Sequence, residues 1–219
     1  MSLGSWPGRP EPPYRPDPLR PGWPLPPEPP TPEVEPVPRR THPVMVPVVD
    51  LPRARDARRV VVSGPLDAEA TTRIAAELMA YDGESADDVE VVVNSDGGPL
   101  ADVLALLDVI GAMRAKVTTR CLGRATGSAA VLLASGTGAR RAGANATISL
   151  RDRDVARIEG PPSTLHAQLD DLERTRARLI DALVRATGRP ADELRRQLDD
   201  GPLLDPAGAA ALGLIDPLG

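Results

Sequence analysis

Eighteen of the 26 prolines in this 219-residue chain lie between Pro7 and Pro52, and no other feature constrains the fold as strongly. Proline fixes φ and lacks an N–H, so neither a helix nor a central strand absorbs such a density. The distribution predicts a disordered, polyproline-type tail over residues 1–47 and one folded unit over 48–219. A unit of that size buries roughly 70% of its unfolded surface, enough for a single core. Phenylalanine is absent, and Trp6, Trp23 and Tyr14 fall in the tail, so Tyr81 is the folded unit's one aromatic residue. Its core must be packed from Val, Leu, Ile and Ala.

Several function classes drop out early. Apolar stretches are too short for a membrane span, and the N-terminus lacks the apolar region of a secretory leader. The single cysteine, Cys121, excludes an internal disulfide and a cysteine-built zinc site, and fits a reducing cytoplasm. Net charge is −5 and no basic patch is interleaved with aromatics, which speaks against nucleic acid. Twenty-five arginines beside the lone Lys116 read as the bias of a GC-rich genome. His42 lies in the tail, which leaves the folded unit only His166. A mechanism needing two histidines is therefore excluded there, and neither a metal nor a cofactor is expected.

Within the folded unit, short apolar runs alternate with helix-spaced segments. Arg59–Val62 and Val89–Val93 read as buried-type strands, Lys116–Leu122 as a third and Ala146–Leu150 as a fourth. Asp67 is placed to cap a helix running to Tyr81. Pro99 opens another, with Leu104, Leu107, Ile110 and Met113 at helical spacing. Ser128–Ala134 is almost wholly apolar, as in a helix buried on all sides. From Pro161-Pro162-Ser163 a long helix carries Leu165, Leu169, Leu172, Leu179, Leu183 and Val184 on one face, interrupted by Arg176. Strand–helix alternation implies right-handed βαβ units and a mainly parallel sheet, with sites in the loops after strands. Those loops are Asn94–Gly98 and Gly123–Gly127.

Glycine loops between strand and helix either permit tight packing or aim backbone N–H groups at a ligand. Two such donors could form an oxyanion hole, and a phosphate cradle is a further option without the usual spacing. Asp96 could cap the following helix or stand as a lone carboxylate.

The order of the stretches VVVSGPLD, VVVNSDGGPLADVLALLDVI, TTRCLGRATGSAAVLLASG, NATISL, ATGRP and AAALGLID resembles the proteolytic subunit of the Clp protease, from about Arg58 to Leu218. The resemblance implies an α/β fold of the ClpP/crotonase type, built of repeated ββα/βαβ units with a long protruding helix. It also implies a serine-peptidase core in stacked rings, fed by an ATP-driven unfoldase. Carried onto this sequence, the oxyanion hole falls on the N–H groups of Gly98 and Ser128. The nucleophile, base and acid positions fall on Gly127, Arg151 and Gly201, so all three triad residues are replaced. A one-residue shift would recover Ser128 as nucleophile and Asp200 as acid, but nothing recovers the base. Arg151 stays protonated, and His166 sits at the start of the long helix, toward solvent or a neighbouring subunit.

Three readings follow. The first is a degenerate Clp-type subunit that forms rings with itself or with active paralogues, for which a Clp ATPase partner is in doubt because no amphipathic helix is visible at residues 50–56. The second is a residual hydrolase using Ser128, and the third is crotonase-like binding of an acyl thioester. The run Arg151-Asp152-Arg153-Asp154 either alters ring pairing or is a solvated loop, and carboxylates and arginines of the long helix can pair at i,i+4. The tail could be a removable propeptide, a PxxP ligand or a spacer.

Overall fold

The structure, a computed structural model, describes residues 57–152 and 162–217. The expected tail, the loop around Arg153 and Asp154, and the segment 50–56 lie outside those residues.

Strand β1 (Arg59–Pro65) buries Val60 and Val62 but leaves Val61 54% exposed. The continuous valine run suggested burial on both faces; only one face of the sheet is covered. Asp67 caps helix α1 (Ala68–Glu84) as expected, its carboxylate accepting from the Ala70 N–H at 2.8 Å. Thr71, Ile74, Leu78 and Tyr81 form the buried face of α1. Strand β2 (Val89–Gly97) pairs parallel to β1, and helix α2 (Leu100–Ala112) follows Pro99. Its buried side is Leu100, Val103, Leu106 and Ile110, whereas Leu104 and Leu107 are half-buried. This helix is apolar nearly all round, so spacing alone did not fix which side faces inward.

Strand β3 (Val117–Thr126) lies parallel to β2, and helix α3 (Ser128–Ala134) is buried at all seven positions, as its composition required. Two short strands, β4 (Arg140–Ala142) and β5 (Thr147–Ser149), both pair parallel to β3, giving a sheet of order β1-β2-β3-β4 with β5 beside the far end of β3. The expected loops at Asn94–Gly98 and Gly123–Gly127 are mostly strand. After register shifts, Ser95 pairs with Ala125 and Pro65 with Gly97, so the ladder runs past the bulges almost to the helices.

Helix α4 (Pro162–Thr187) is followed by α5 (Ala191–Asp200) and α6 (Pro206–Leu212). From Leu165 onward only Leu179, Ile180 and Leu183 of α4 are buried; none is between Leu165 and Arg178, and Leu169 is exposed. At 1.5 Å per residue the 26 residues of α4 span about 39 Å, so its first half reaches beyond the core.

Helices α1 and α3 pack on one face of the sheet, with α2 against both. The opposite face presents Val61, Val92 and Leu122 together with a charged row in which the Glu90 carboxylate accepts from Arg59 at 2.6 Å and forms an ion pair with Arg120 at 2.8 Å. Valine and leucine side chains on the covered face contribute roughly 1.5–3 kcal/mol each when fully buried.

Two arginines close the fold. Arg58 stacks over the Tyr81 ring at 5.2 Å and donates to the Tyr81 carbonyl in the last turn of α1 and to those of Ser85 and Asp87 beyond its end. Arg140 donates to the carbonyls of Ala134, Ala186 and Gly213 and pairs with the Asp216 carboxylate.

Candidate functional site

The ends of β2 and β3 meet where α3 begins, and glycine makes the approach possible. A Cβ on Gly98 would sit 2.2 Å from the Leu66 carbonyl oxygen, and one on Gly97 would sit 2.6 Å from that of Thr126. Gly97 also has φ +91°, a region that L side chains rarely adopt. The buried Ser95 hydroxyl fastens this turn, donating to the Gly64 carbonyl and accepting from the Gly97 N–H. Asp96 does not cap α2. Its carboxylate takes both bonds from one nitrogen of Arg124, at 2.7 and 3.0 Å, and latches the end of β2 to that of β3.

Ser128, the candidate nucleophile, is 1% exposed. Its Oγ accepts from the Gly98 N–H at 2.8 Å and donates to the Gly98 carbonyl at 2.9 Å. The hydroxyl and one of the two candidate oxyanion-hole donors are therefore bonded to each other. The other donor, the Ser128 N–H, opens α3, where N–H groups have no partner within the helix.

Gly127 immediately precedes α3 with φ +56° and ψ −128°, and its N–H donates to the Ser149 carbonyl at 2.9 Å. A Cβ there would meet nothing closer than the Arg151 carbonyl at 3.6 Å, so a side chain has room although the backbone would be strained. Arg151 directs its guanidinium to Asp200, 3.3 Å away. The Ser149 hydroxyl donates to the Gly201 carbonyl at 3.5 Å, and the Asp152 N–H donates to the Leu198 carbonyl at 2.9 Å. Ile148 and Leu204 exchange two further backbone bonds. These contacts pull the end of α5 against β5 and gather Gly127, Arg151 and Gly201 around one strand. At Gly201 the packing is tight: a Cβ would lie 2.3 Å from the Gln197 carbonyl oxygen.

His166 lies elsewhere, on the exposed first half of α4. Cys121 is fully buried in β3, and burial pushes its thiol up to about 11. A cavity of about 490 Å³ opens beside Asn94, Asp96, Gly97 and Arg124, but Ser128 and Arg151 do not line it. Among the described residues there is no group of three His, Cys, Asp or Glu side chains placed to hold a metal ion, and no helix long and apolar enough to cross a membrane.

The chemistry available is narrow. Among the described residues the site carries backbone donors and a guanidinium–carboxylate pair, with no imidazole beside the Ser128 hydroxyl. The contact between Ser128 and Gly98 left no signal in the sequence, because it joins residues 30 positions apart across the β2–β3 ladder.

Comparison with known proteins adds the lineage. The family model described as Clp protease matches residues 49–219. The chain is 31% identical over 163 residues to ATP-dependent Clp protease proteolytic subunit 2 of Corynebacterium jeikeium, covering 74% of this chain and 78% of the relative. It is 35% identical over 162 residues to a chain of Streptomyces coelicolor described as ATP-dependent Clp protease proteolytic subunit-like, covering 73% and 77%. With proteolytic subunit 2 of Mycobacterium bovis it shares 32% over 164 residues, covering 74% and 77%.

Proposed function

This chain belongs to the Clp protease family, and from that membership we propose that it is a proteolytically silent, ring-forming subunit that works in the cytoplasm beside active paralogues. The observation that carries the reading is the trio Gly127, Arg151 and Gly201. The fold brings these positions together, yet none offers a nucleophile, a base or an acid. Gly127 has no side chain, Arg151 offers a guanidinium paired with Asp200 in place of an imidazole, and the seat at Gly201 is closed by the Gln197 carbonyl. In well-studied serine proteases, losing the triad leaves roughly 10³–10⁴-fold of rate enhancement, too little for processive degradation.

A hydrolase built on Ser128 gains no support, since that hydroxyl is buried and engaged on both sides. Nor does the geometry favour crotonase-like binding, which would need the Gly98 N–H turned to a thioester carbonyl.

Assembly is supported by what the single chain leaves open. On the sheet face opposite the helices Val61 and Leu122 are exposed, and in the first half of α4 Leu169 is exposed while Leu165 and Leu172 are only half-buried. A contact of such a face with a different surface of the next copy is head-to-tail and closes into a ring when the rotation permits. The partners are further copies or paralogues; docking of a Clp ATPase stays part of the proposal, as segment 50–56 lies outside the described residues.

The test is native mass spectrometry of the full chain after exposure to a fluorophosphonate probe, with peptide hydrolysis measured alongside. A ring-sized particle without adduct or turnover is the expected result. An adduct lost in Ser128→Ala, or ordinary peptidase turnover, refutes silence; a monomer at working concentration, alone and with a paralogue, refutes the ring.

A further inference from the structure

The Ser128 hydroxyl does more than stand near an abandoned site. Its oxygen lies 2.8 Å from the Gly98 nitrogen, in line to accept that N–H, and its proton goes to the Gly98 carbonyl at 2.9 Å. A hydroxyl oxygen at that spot occupies the place of a carbonyl oxygen bound to the same N–H. We infer that Ser128 is a built-in ligand of the Gly98 peptide group and shuts the seat for a substrate carbonyl, so that the site takes up a peptide only when this hydroxyl is removed.

Three further features support a fixed occupant. Ser128 is 1% exposed, so water does not compete for its hydroxyl. The Gly98 backbone lies close against Leu66, whose carbonyl oxygen is 2.2 Å from where a Cβ would be, and the Leu66 N–H is bonded to the neighbouring Gly97 carbonyl at 3.0 Å. The Ser95 hydroxyl and the Asp96–Arg124 latch hold the same turn from the other side. The expected ligand class, once the seat is open, is an extended, uncharged peptide offering a main-chain carbonyl. This inference rests on the silent-subunit reading and adds a second, independent block to it: even a restored side chain at position 127 would face an occupied donor.

The experiment uses the full chain with two readouts. Hydrogen exchange, followed by mass spectrometry on fragments spanning Gly98, reports the bond itself. Anisotropy of a fluorescein-labelled, end-blocked hexapeptide of alanine and leucine reports uptake. Wild-type protein is expected to protect the Gly98 amide and to ignore the peptide. Ser128→Ala should exchange about 2–10-fold faster there, the equivalent of one neutral hydrogen bond, and should bind the peptide at least about tenfold tighter than wild type. A residue with a purely structural role would lose stability on substitution without gaining a ligand. The inference fails if wild type binds the peptide as well as the variant does, if neither the exchange nor the binding of Ser128→Ala differs from wild type, or if the variant exchanges faster yet takes up no peptide. If Ser128→Ala does not fold, the wild-type arms decide alone: an unprotected Gly98 amide or saturable peptide binding overturns the plug, and protection without binding supports it. Since hydrolysis is not read, this outcome is separate from whether the subunit is silent.

Discussion

Adding the same methyl group at two glycines should change stability in opposite directions. At Gly201, φ is −63°, an ordinary value, so alanine meets no torsional objection. Its Cβ would nevertheless lie 2.3 Å from the Gln197 carbonyl oxygen, and relief to even 3.0 Å requires about 0.7 Å of backbone movement at the end of α5. That end is tied to β5 by the Ser149–Gly201 and Asp152–Leu198 bonds, so it cannot drift freely. Overpacking of this kind costs about 1–3 kcal/mol. For a domain of this length that is a fall in Tm of about 2–12 °C. Gly111 is the control. It sits in α2, a Cβ there meets nothing within 4 Å, and replacing a helical glycine by alanine gains about 0.5–1 kcal/mol. Thermal unfolding of the full chain, by calorimetry at one protein concentration, should therefore rank Gly111→Ala above wild type and Gly201→Ala below it. A Gly201→Ala protein that melts at or above wild type would refute the packing argument. It would also reopen the acid position to a side chain.

Further outcomes follow from other sites. The Cys121 thiol should resist iodoacetamide at neutral pH until the chain unfolds. Because its folded value is raised to about 11 from 9.0, the stability it confers is complete below pH 9 and declines as pH rises from there toward 11. Cys121→Ala should flatten that alkaline limb of a Tm-versus-pH curve. The Ala115 N–H, followed by the Arg114 N–H and guanidinium, holds the Asp82 carboxyl below the usual range against an opposing desolvation. Its contribution is present above the unfolded carboxylate value and lost as pH falls, so Asp82→Asn should melt lower at pH 7 and converge with wild type in acid. Leu122→Asp, on the open sheet face, should leave the circular dichroism of the folded chain unchanged while shifting native mass spectra from rings toward smaller particles.

What the residues revealed about the fold was strongest where one interaction dominates. The valine runs announced β1 and β2, a single aspartate announced the start of α1, and an apolar heptamer announced a fully buried helix. Where long-range pairing decides, the reading stopped short. Ser95 and Ala125 look like loop residues, and only the parallel ladder across the bulges makes them strand. Strand β4 is three residues with two arginines, and α5 has just Leu194 and Leu198 buried, too few for a periodicity to register. Asp96 followed the same rule: local chemistry favoured a cap, but Arg124, 28 residues on, offered a charged partner. Of the candidate site, the three altered positions came from resemblance to a family. The bond between Ser128 and Gly98 came from neither, because it depends on how closely two strands end.

Arg140 carries a kinetic consequence. Through one guanidinium it joins Ala186, Gly213 and Asp216, which lie 46, 73 and 76 residues away in the chain. Contacts of that separation carry the largest loop-closure cost and form after local helices and neighbouring strands have paired. A side chain whose bonds are absent from the folding transition state acts on escape from the native basin rather than on entry into it. Arg140→Ala should accordingly leave the refolding rate near wild type and hasten unfolding. The residue then sets how long the chain stays folded rather than how fast it arrives there.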